Sequence, residues 1–580
     1  MRMCESAPFY ANNCVNFKSL RCRQTLAKQG KSFQIIKLEN CMPRNSTKTQ
    51  SRNAQLRVLW ANMPDAEFER LGFTRAQLLA LQDSLSGYVV LPGMPDYNTD
   101  RKLFNPVFDS YPVAIAYCES DLDVAAVLQF AQTSPLGFQV RSGGHCTAGF
   151  SSGTGILLDV SHLDNCTVDS AALTATVGCG CPFKKLYDTL RPYGLHVPAG
   201  ECEDVCVGGF VQGGGYGFTS VTFGMNCDNV IDMRVMLASG QIVTASETVN
   251  RDLWWAMRGG TGGNFGVLLS VRYKLRPLGK VFGWAVIWPL ASELEATNAT
   301  RALMFFQSNY LGANTNPLLN IQVSLCFQPG TAAGASADAA TLPYLMIRGL
   351  YVGDAVNGQA AIAPLCALTG AITQWTETAT YDVLNVDLLN KPYSMPFFPA
   401  NAIPREDKVS RYVARPLTSA QWRSLLDYFK GSPNPYSYAY LECYGGAINA
   451  YPSDKSAFVH RDVLYNAVLD VFWLEESQRV AAQAFLEGWV QLVGPLSNGR
   501  IYQNYPRLGE PNYAQAYWGD AQAGLYAVKC KYDKTMAFRF AQQVCPLMSP
   551  FAGLGPRIIL PDFLQAALDQ PIVCDTQSLA

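Results

Sequence analysis

Two glycine-rich segments limit most strongly how this chain can fold. The first, VRSGGHCTAGF over residues 140–150, places His145, one of only four histidines, directly after Gly143 and Gly144. The second, PAGECEDVCVGGFVQGGGYGF over residues 198–218, carries Cys202 about 57 positions further on. Glycine has no Cβ, so its backbone can approach a ligand closely, and successive N–H groups can surround a phosphate or a flat ring. Taken singly, each segment is equally compatible with a tight turn beside an ordinary histidine or thiol.

Composition narrows the class of protein and its partners. A chain of 580 residues, 49% hydrophobic and 16% charged, favours two or more domains with large cores. A formal net charge of −1 gives no reason to expect nucleic acid or an anionic membrane as the main partner. No apolar run is long enough for a membrane span.

The 18 cysteines are scattered, without the spacing of a zinc site, so no metal is predicted. The first fifty residues lack the apolar core of a secretory signal. We therefore expect a cytoplasmic protein by default, or a secreted one if the true start of the chain differs.

The order of motifs predicts an interrupted first domain. We expect an atypical or disordered extension over 1–55, a first domain over 56–280, a second over 281–495, a return to the first over 496–545, and a tail over 546–580. Short β-type runs such as VAIAY and FQVR alternate with helical patterns such as DLDVAAVLQFAQ, for which Asp121 is the predicted N-cap. Glycine becomes less frequent after about residue 280, which indicates the start of the second domain.

Several motifs together resemble one family. VRSGGHCTAGFSSGTGILLDVSHLDNCTVD resembles the flavin-attachment region of the berberine bridge enzyme-like family, FAD-linked oxidases with the vanillyl-alcohol-oxidase fold. The family's second pattern falls on Gly200, Cys202, Val205 and Val207, and YQNY at 502–505 resembles the start of its closing signature. The resemblance implies an α+β fold of two domains: a flavin domain of two α/β subdomains, and a substrate domain with an antiparallel sheet backed by helices.

The resemblance also implies how the cofactor is held. FAD would be bound twice, through His145 at the flavin 8α methyl and through Cys202 at C6. Val205 would gate dioxygen access, and valine there accompanies oxidases; Asn504 would support the cofactor. Glu203 and Phe210 depart from the family's proline and histidine. The remaining candidate cofactor-binding residues are Arg141, which could neutralise the pyrophosphate or form a salt bridge, and Ser142, Gly143, Gly144, Gly208 and Gly209.

Tyr505 is the candidate catalytic base, with Tyr502 beside it. An unperturbed tyrosine has a pKa near 10, so we expect a neighbouring cation or donor to lower it. Some family members carry a glutamate base after a Y-G-G motif, but that register leads here to Ala450, so no glutamate is assigned.

The expected reaction is oxidation of an alcohol-bearing small molecule, a natural-product intermediate or a sugar, with dioxygen reoxidising the flavin to give hydrogen peroxide. The alternatives are an oligosaccharide oxidase that forms a lactone, a dehydrogenase with another electron acceptor, and a flavin-free binding protein on the same scaffold.

Overall fold

The computed structural model describes residues 46–329, 341–390, 398, 402–544, 560 and 562–575. Residues 1–45 of the predicted extension, residue 545 at the end of the predicted return, and residues 546–559, 561 and 576–580 of the predicted tail lie outside the described residues. Residues 46–55, which we expected to belong to the extension, form the start of a helix instead. Leu56 and Trp60, one helical turn apart, are buried in the flavin-domain core and hold this helix in place.

The first subdomain is a mixed four-stranded sheet with helices around it. Its strand order is β1-β2-β4-β3, in which β2, β4 and β3 run parallel. The strands are β1 (Tyr88–Val90), β2 (Ala114–Tyr117), β3 (Phe138–Arg141) and β4 (Ile156–Asp159). The helices are α1 (Ser46–Ala61), α2 (Asp65–Arg70), α3 (Arg75–Ser84), α4 (Tyr97–Asp100) and α5 (Asp121–Ala131).

Two local features set where helices begin in this subdomain. Residues 65–84 form two separate helices, α2 and α3, because Gly72 adopts φ +86° and Thr74 caps the second helix. The predicted cap Asp121 lies in the first turn of α5, and the N-cap is Ser120, whose hydroxyl accepts from the Asp123 N–H.

The second subdomain is a five-stranded antiparallel sheet of order β5-β6-β10-β8-β9. Its strands are β5 (Cys166–Asp169), β6 (Thr174–Gly178), β8 (Val230–Met236), β9 (Ile242–Ser246) and β10 (Val267–Lys274). A short ribbon pairs β7 (Leu195–His196) with β11 (Arg276–Pro277). The helices are α6 (Phe183–Leu190), α7 (Val207–Gln212), α8 (Ser220–Phe223) and α9 (Arg251–Ala256).

The substrate domain is built on a seven-stranded antiparallel sheet of order β15-β12-β14-β13-β17-β18-β16. The strands are β12 (Lys280–Pro289), β13 (Leu319–Pro329), β14 (Thr341–Tyr351), β15 (Ile372–Thr380), β16 (Arg405–Val413), β17 (Tyr438–Cys443) and β18 (Tyr465–Trp473). The helices are α10 (Glu293–Tyr310), α11 (Ala355–Cys366), α12 (Tyr381–Asn390), α13 (Ser419–Lys430), α14 (Gly446–Ala450) and α15 (Arg479–Val493).

The two faces of this sheet have different partners. Helices α10, α11, α13 and α15 bury one face in an apolar core that includes Phe306, Trp422 and Leu486. The other face carries a smaller cluster with Tyr344, Tyr438 and Tyr440. The two tyrosines Tyr438 and Tyr440 line a cavity shared with the flavin domain, so this face positions the candidate site.

The chain returns to the flavin domain earlier than the sequence predicted. Residues 444–464, expected within the second domain, contribute Tyr444, Ile448, Phe458 and Val463 to the flavin-domain core. Arg461 forms a buried ion pair with Asp228, with 2.6 Å between the guanidinium and the carboxylate. The predicted boundary at 495 therefore misses a first return at 444–464.

The C-terminal elements also belong to the flavin domain. They are α16 (Tyr513–Trp518), α17 (Gln522–Tyr532) and α18 (Asp562–Leu568). Leu564 of α18 is fully buried, and Val573 exchanges hydrogen bonds with the side chain of Asn250. Residues 562–575 of the predicted tail are thus integrated into the core.

Candidate active site

A cavity of about 350 Å³ lies between the two domains. The flavin domain contributes both glycine-rich segments, the substrate domain contributes side chains of β16, β17 and β18, and residues 502–506 complete the lining. A concave site at a domain interface is the usual setting for a ligand or cofactor.

The first glycine turn follows β3 and brings the two glycine-rich segments into contact. A Cβ on Gly143 would lie 3.0 Å from the backbone N and the Sγ of Cys206. Gly144 has φ +76°, a conformation that favours glycine. The Ser142 hydroxyl donates a 2.7 Å hydrogen bond to the Cys179 carbonyl, which fixes the turn on the second subdomain.

His145 lines the cavity and its ring is held on two sides. It stacks on Phe104, with 4.7 Å between ring centroids and 25° between planes. Its Nε2 lies 3.2 Å from Oδ2 of Asp204, a residue that the sequence analysis did not single out.

Cys202 lines the same cavity. Burial, and then the carboxylates of Asp204 and Glu201, raise the pKa of its thiol above the ordinary value. The thiol is therefore protonated at neutral pH in the protein without a bound group.

Val205, Gly208 and Gly209 line the cavity beyond Cys202. A Cβ on Gly208 would lie 2.7 Å from the Cys179 carbonyl oxygen, whereas a Cβ on Gly209 would meet nothing within 4 Å. Gly208 therefore allows close packing of α7, and Gly209 leaves open space on the cavity side.

Arg141 forms the salt bridge that was one of the two predicted alternatives. It is 6% exposed and does not line the cavity. Arg141 and Asp159 are register partners on β3 and β4, and the Arg141 Nε donates a 2.5 Å hydrogen bond to Asp159. Its Nε is thus paired inside the subdomain, while its Nη1 is buried without a hydrogen-bond partner among the described residues, so a role in binding the pyrophosphate stays a prediction.

Tyr502 and Asn504 organise a glycine loop beside the cavity. The Tyr502 hydroxyl oxygen accepts hydrogen bonds from the N–H groups of Gly215 and Tyr216, at 2.9 and 3.1 Å, and from Asn504 Nδ2 at 3.0 Å. These hydrogen bonds tie Tyr502 to the glycine loop, and its predicted catalytic role stays a prediction.

Tyr505 is hydrogen-bonded to a carboxylate. Its hydroxyl donates a 2.5 Å hydrogen bond to Oε1 of Glu442, and Asn466 Nδ2 donates to Oε2 at 2.9 Å. Burial raises the pKa of Glu442 to about 7, against the opposing effect of these hydrogen bonds. Burial, followed by the Glu442 charge, raises the pKa of Tyr505. The expectation of a lowered tyrosine pKa is therefore wrong.

Glu442 was not predicted, because the glutamate base of the family was expected after the Y-G-G motif. Glu442 lies two residues before Tyr444, on β17, while Ala450 is exposed at the end of α14. The strand β17 is buried along its whole length. A carboxylate within such a strand was the signal that could have identified Glu442, because a buried charge requires a partner.

A charged cluster lines the substrate-domain side of the cavity. Lys408 Nζ lies 3.2 Å from Glu406 Oε1, 3.1 Å from Asp470 Oδ2, and 4.6 Å from the centroid of the Tyr505 ring. Asp470 Oδ1 is buried without a hydrogen-bond partner among the described residues. This cluster offers polar groups to a ligand beside Tyr505, and no motif of the sequence pointed to it.

The residues present fit FAD. Ser151 lines the cavity, and its hydroxyl is buried without a hydrogen-bond partner in the described part of the chain. The glycine backbone of both loops, Asn504 and the two nucleophilic side chains converge on the same space. Such a cradle suits a phosphate-bearing group with a flat ring.

Among the described residues, no group of three or more His, Cys, Asp or Glu is placed to hold a metal ion. None of the helices in those ranges combines the length and apolar character that crossing a membrane requires.

The two-domain fold and this cavity define an FAD-dependent oxidoreductase, and comparisons with known proteins agree. Residues 112–246 match a family model described as "FAD binding domain", and residues 501–544 match one described as "Berberine and berberine like". The chain thus contains regions that match both family models, and it is an FAD-linked oxidoreductase similar to berberine bridge enzyme-like proteins.

Relatives cover most of the chain. A carbohydrate oxidase of Microdochium nivale is 26% identical over 82% of this chain and 96% of its own. The aclacinomycin-N/aclacinomycin-A oxidase of Streptomyces galilaeus is 26% identical over 76% of this chain and 87% of its own. Among solved structures, the berberine bridge enzyme-like 1 protein of Physcomitrella patens superposes with a TM-score of 0.69 at 23% identity, covering 81% of this chain and 99% of that one.

Proposed function

We propose that this enzyme oxidises an alcohol-bearing small molecule by removing a hydride, and that dioxygen reoxidises the flavin to give hydrogen peroxide. One observation carries the proposal: His145, Cys202 and Tyr505 line a single cavity. In the proposal, His145 and Cys202 hold FAD covalently, and Tyr505 faces the substrate between the flavin and the substrate domain. Bound FAD supplies the hydride acceptor, while the protein supplies placement and proton transfer.

The proton of the substrate hydroxyl passes to the pair formed by Tyr505 and Glu442. Because the pKa of Tyr505 is raised, a tyrosinate is not populated at neutral pH. The phenol oxygen instead accepts the substrate proton while its own proton moves along the 2.5 Å hydrogen bond to Glu442. With a pKa of about 7, Glu442 is well matched to receive a proton near neutrality.

The other residues around the pair hold the geometry. Tyr502, whose hydroxyl oxygen accepts three N–H groups, keeps the glycine loop and Asn504 in place beside the cofactor. The Lys408 ammonium lies over the Tyr505 ring, a cation–π contact that fixes the ring against β16.

Dioxygen as electron acceptor is supported by Val205, which lines the cavity three residues after Cys202. A small side chain there leaves room for dioxygen beside the flavin. Anaerobic reduction followed by exposure to air tests this step. Reoxidation within the turnover time is expected, and slow reoxidation in air with fast reoxidation by a quinone would favour a dehydrogenase.

A sugar is the second candidate substrate beside a natural-product intermediate, with oxidation of an anomeric hydroxyl to a lactone. The observation that favours it is the polar lining by Glu406, Lys408 and Asp470, beside the stacked rings of Tyr438 and Tyr440. Buried carboxylates accept hydrogen bonds from hydroxyls, and aromatic faces pack against sugar rings. The named activities of the Microdochium nivale and Streptomyces galilaeus relatives span both possibilities.

A screen that follows peroxide release tests the function. Mono- and oligosaccharides form one panel, and hydroxylated polycyclic compounds form the other. Peroxide that depends on Tyr505, and is lost in Tyr505→Phe, is expected with one panel. No peroxide and no flavin reduction with either panel would contradict the proposed reaction.

A further inference from the structure

We propose that Asp204 positions His145 for covalent attachment to FAD by holding the imidazole Nε2–H, so that the lone pair is left on Nδ1. The inference rests on the proposed function, because it assumes that His145 is a flavin tether. The contact that carries it is the 3.2 Å separation between Nε2 of His145 and Oδ2 of Asp204.

The carboxylate selects one tautomer of the ring. A neutral imidazole has one N–H donor and one acceptor nitrogen, and an ionised carboxylate only accepts. Facing Oδ2 of Asp204, Nε2 therefore carries the hydrogen, and Nδ1 is the nitrogen with a free electron pair. The partner of one ring nitrogen commonly sets the reactivity of the other in this way.

The ring orientation is set as well as its tautomer. Phe104 stacks on the imidazole at 4.7 Å, and the backbone enters the residue from Gly144 at φ +76°. With one face covered and Nε2 occupied, rotation of the ring that would exchange the two nitrogens breaks the contact with Asp204. A pre-oriented nucleophile lowers the entropic part of the barrier to attachment.

The attachment is an oxidation of the flavin methyl group, and dioxygen is its oxidant. A bond forms between Nδ1 of His145 and the 8α carbon of the flavin, and one C–H bond of that methyl group breaks. The two electrons that this substitution leaves on the flavin pass to dioxygen, which takes up the proton of the broken C–H bond and one proton from solvent to give hydrogen peroxide. The alkylated imidazole keeps its Nε2–H and becomes a cation, and the Asp204 carboxylate stabilises that charge.

The position of Asp204 links the two proposed tethers. It lies two residues after Cys202 in the second glycine-rich segment, whereas His145 lies in the first. The contact between Asp204 and His145 therefore joins the loops that carry the two nucleophiles, beside the contact of Gly143 with Cys206.

The test counts each tether separately. Asp204→Asn, Asp204→Glu and the neighbouring control Glu203→Gln are produced without flavin, mixed with FAD in air, and sampled over time. Acid precipitation gives the covalent flavin per chain, and peptide mass spectrometry assigns it to His145 or Cys202. We expect the His145 link in Asp204→Asn to form at least about tenfold more slowly than in wild type, with Asp204→Glu recovering most of the rate and Glu203→Gln matching wild type.

The Cys202 link distinguishes positioning from a general structural defect. A positioning role for Asp204 slows only the His145 link, while a distorted site slows both links together. Formation of the His145 link at the wild-type rate in Asp204→Asn, or equal loss of both links, would overturn the inference alone. Absence of the His145 link from wild type would overturn the proposed tether, and the inference with it.

Discussion

Among single residues, Glu442 has the largest consequence for the proposed chemistry. The Tyr505 hydroxyl donates a hydrogen bond directly to its carboxylate. A carboxylate with a pKa of about 7 is ionised above that pH and protonated below it. Since only the ionised form can receive the Tyr505 proton, the rate should fall as pH drops through about 7.

We expect kcat/KM of the wild type to rise as pH rises through about 7. The variant Glu442→Gln should lose this pH dependence, and its rate should be about 10²–10⁴-fold lower. Asp470→Asn is the matched control, because Asp470 is a buried cavity carboxylate that contacts Lys408 rather than the Tyr505 hydroxyl. It should keep the pH dependence. A pH-independent wild type, or an unchanged profile in Glu442→Gln, would count against the Tyr505–Glu442 relay.

The Arg141–Asp159 pair makes a prediction about stability rather than catalysis. Arg141→Met leaves the Asp159 carboxylate buried without its cation, which should cost about 3–5 kcal/mol of unfolding free energy. Urea unfolding of the flavin-free protein measures this, and the double variant Arg141→Met/Asp159→Asn should recover most of the loss. Weakened FAD binding with unchanged stability would instead restore the pyrophosphate role that the sequence suggested.

At the level of loops and helices, glycine is required for different physical reasons in the two glycine-rich segments. Gly143 is required by contact between the loops, while Gly209, on α7, faces open space in the cavity. Gly143→Ala should destabilise the flavin-free protein by about 1–3 kcal/mol, because its methyl group meets Cys206.

Gly209→Ala is the complementary change. It should leave the flavin-free protein as stable or slightly more stable, since alanine favours a helix interior, yet lower the FAD content after purification because its methyl group takes cavity volume. Flavin absorbance per chain, measured beside urea unfolding, separates the two effects. Equal FAD content in Gly209→Ala and wild type would show that the cofactor does not approach α7.

What could be predicted from the sequence depended on how local each feature is. Strands such as β2 and β3, and the loops carrying His145 and Cys202, follow from short patterns of apolar residues and glycines, and the structure confirms those elements. Lys408 reaches the cavity from β16 and Glu442 reaches the Tyr505 hydroxyl from β17, and the neighbours of both strands in the sheet are decided by tertiary pairing. The pairing of Arg141 with Asp159 likewise depends on parallel register, which a single sequence does not reveal.

For the whole molecule, the chain crosses between its domains more often than its sequence indicated. Residues 444–464 and the C-terminal segment both contribute to the flavin-domain core, so that core is completed only near the end of the chain. The flavin site therefore depends on segments far from the two glycine-rich loops.

Truncation tests this dependence. Ending the chain at Val544 removes the buried Leu564 of α18, the Lys531 hydrogen bond to the Ala567 carbonyl, and the Asn250 contacts of Val573. The loss should be about 3 kcal/mol or more in unfolding free energy, seen as a lower urea midpoint. Ending the chain at Asp575 is the control and should match the full chain; equal midpoints for both truncations would contradict the integrated tail.

The most direct test is the mass of the intact denatured protein for wild type, His145→Ala, Cys202→Ala and the double variant. If both side chains hold one flavin, wild type and each single variant retain one FAD mass after denaturation, and the double variant retains none. Wild type that releases all its FAD on denaturation, or a double variant that keeps it covalently, would contradict the assignment of the cavity.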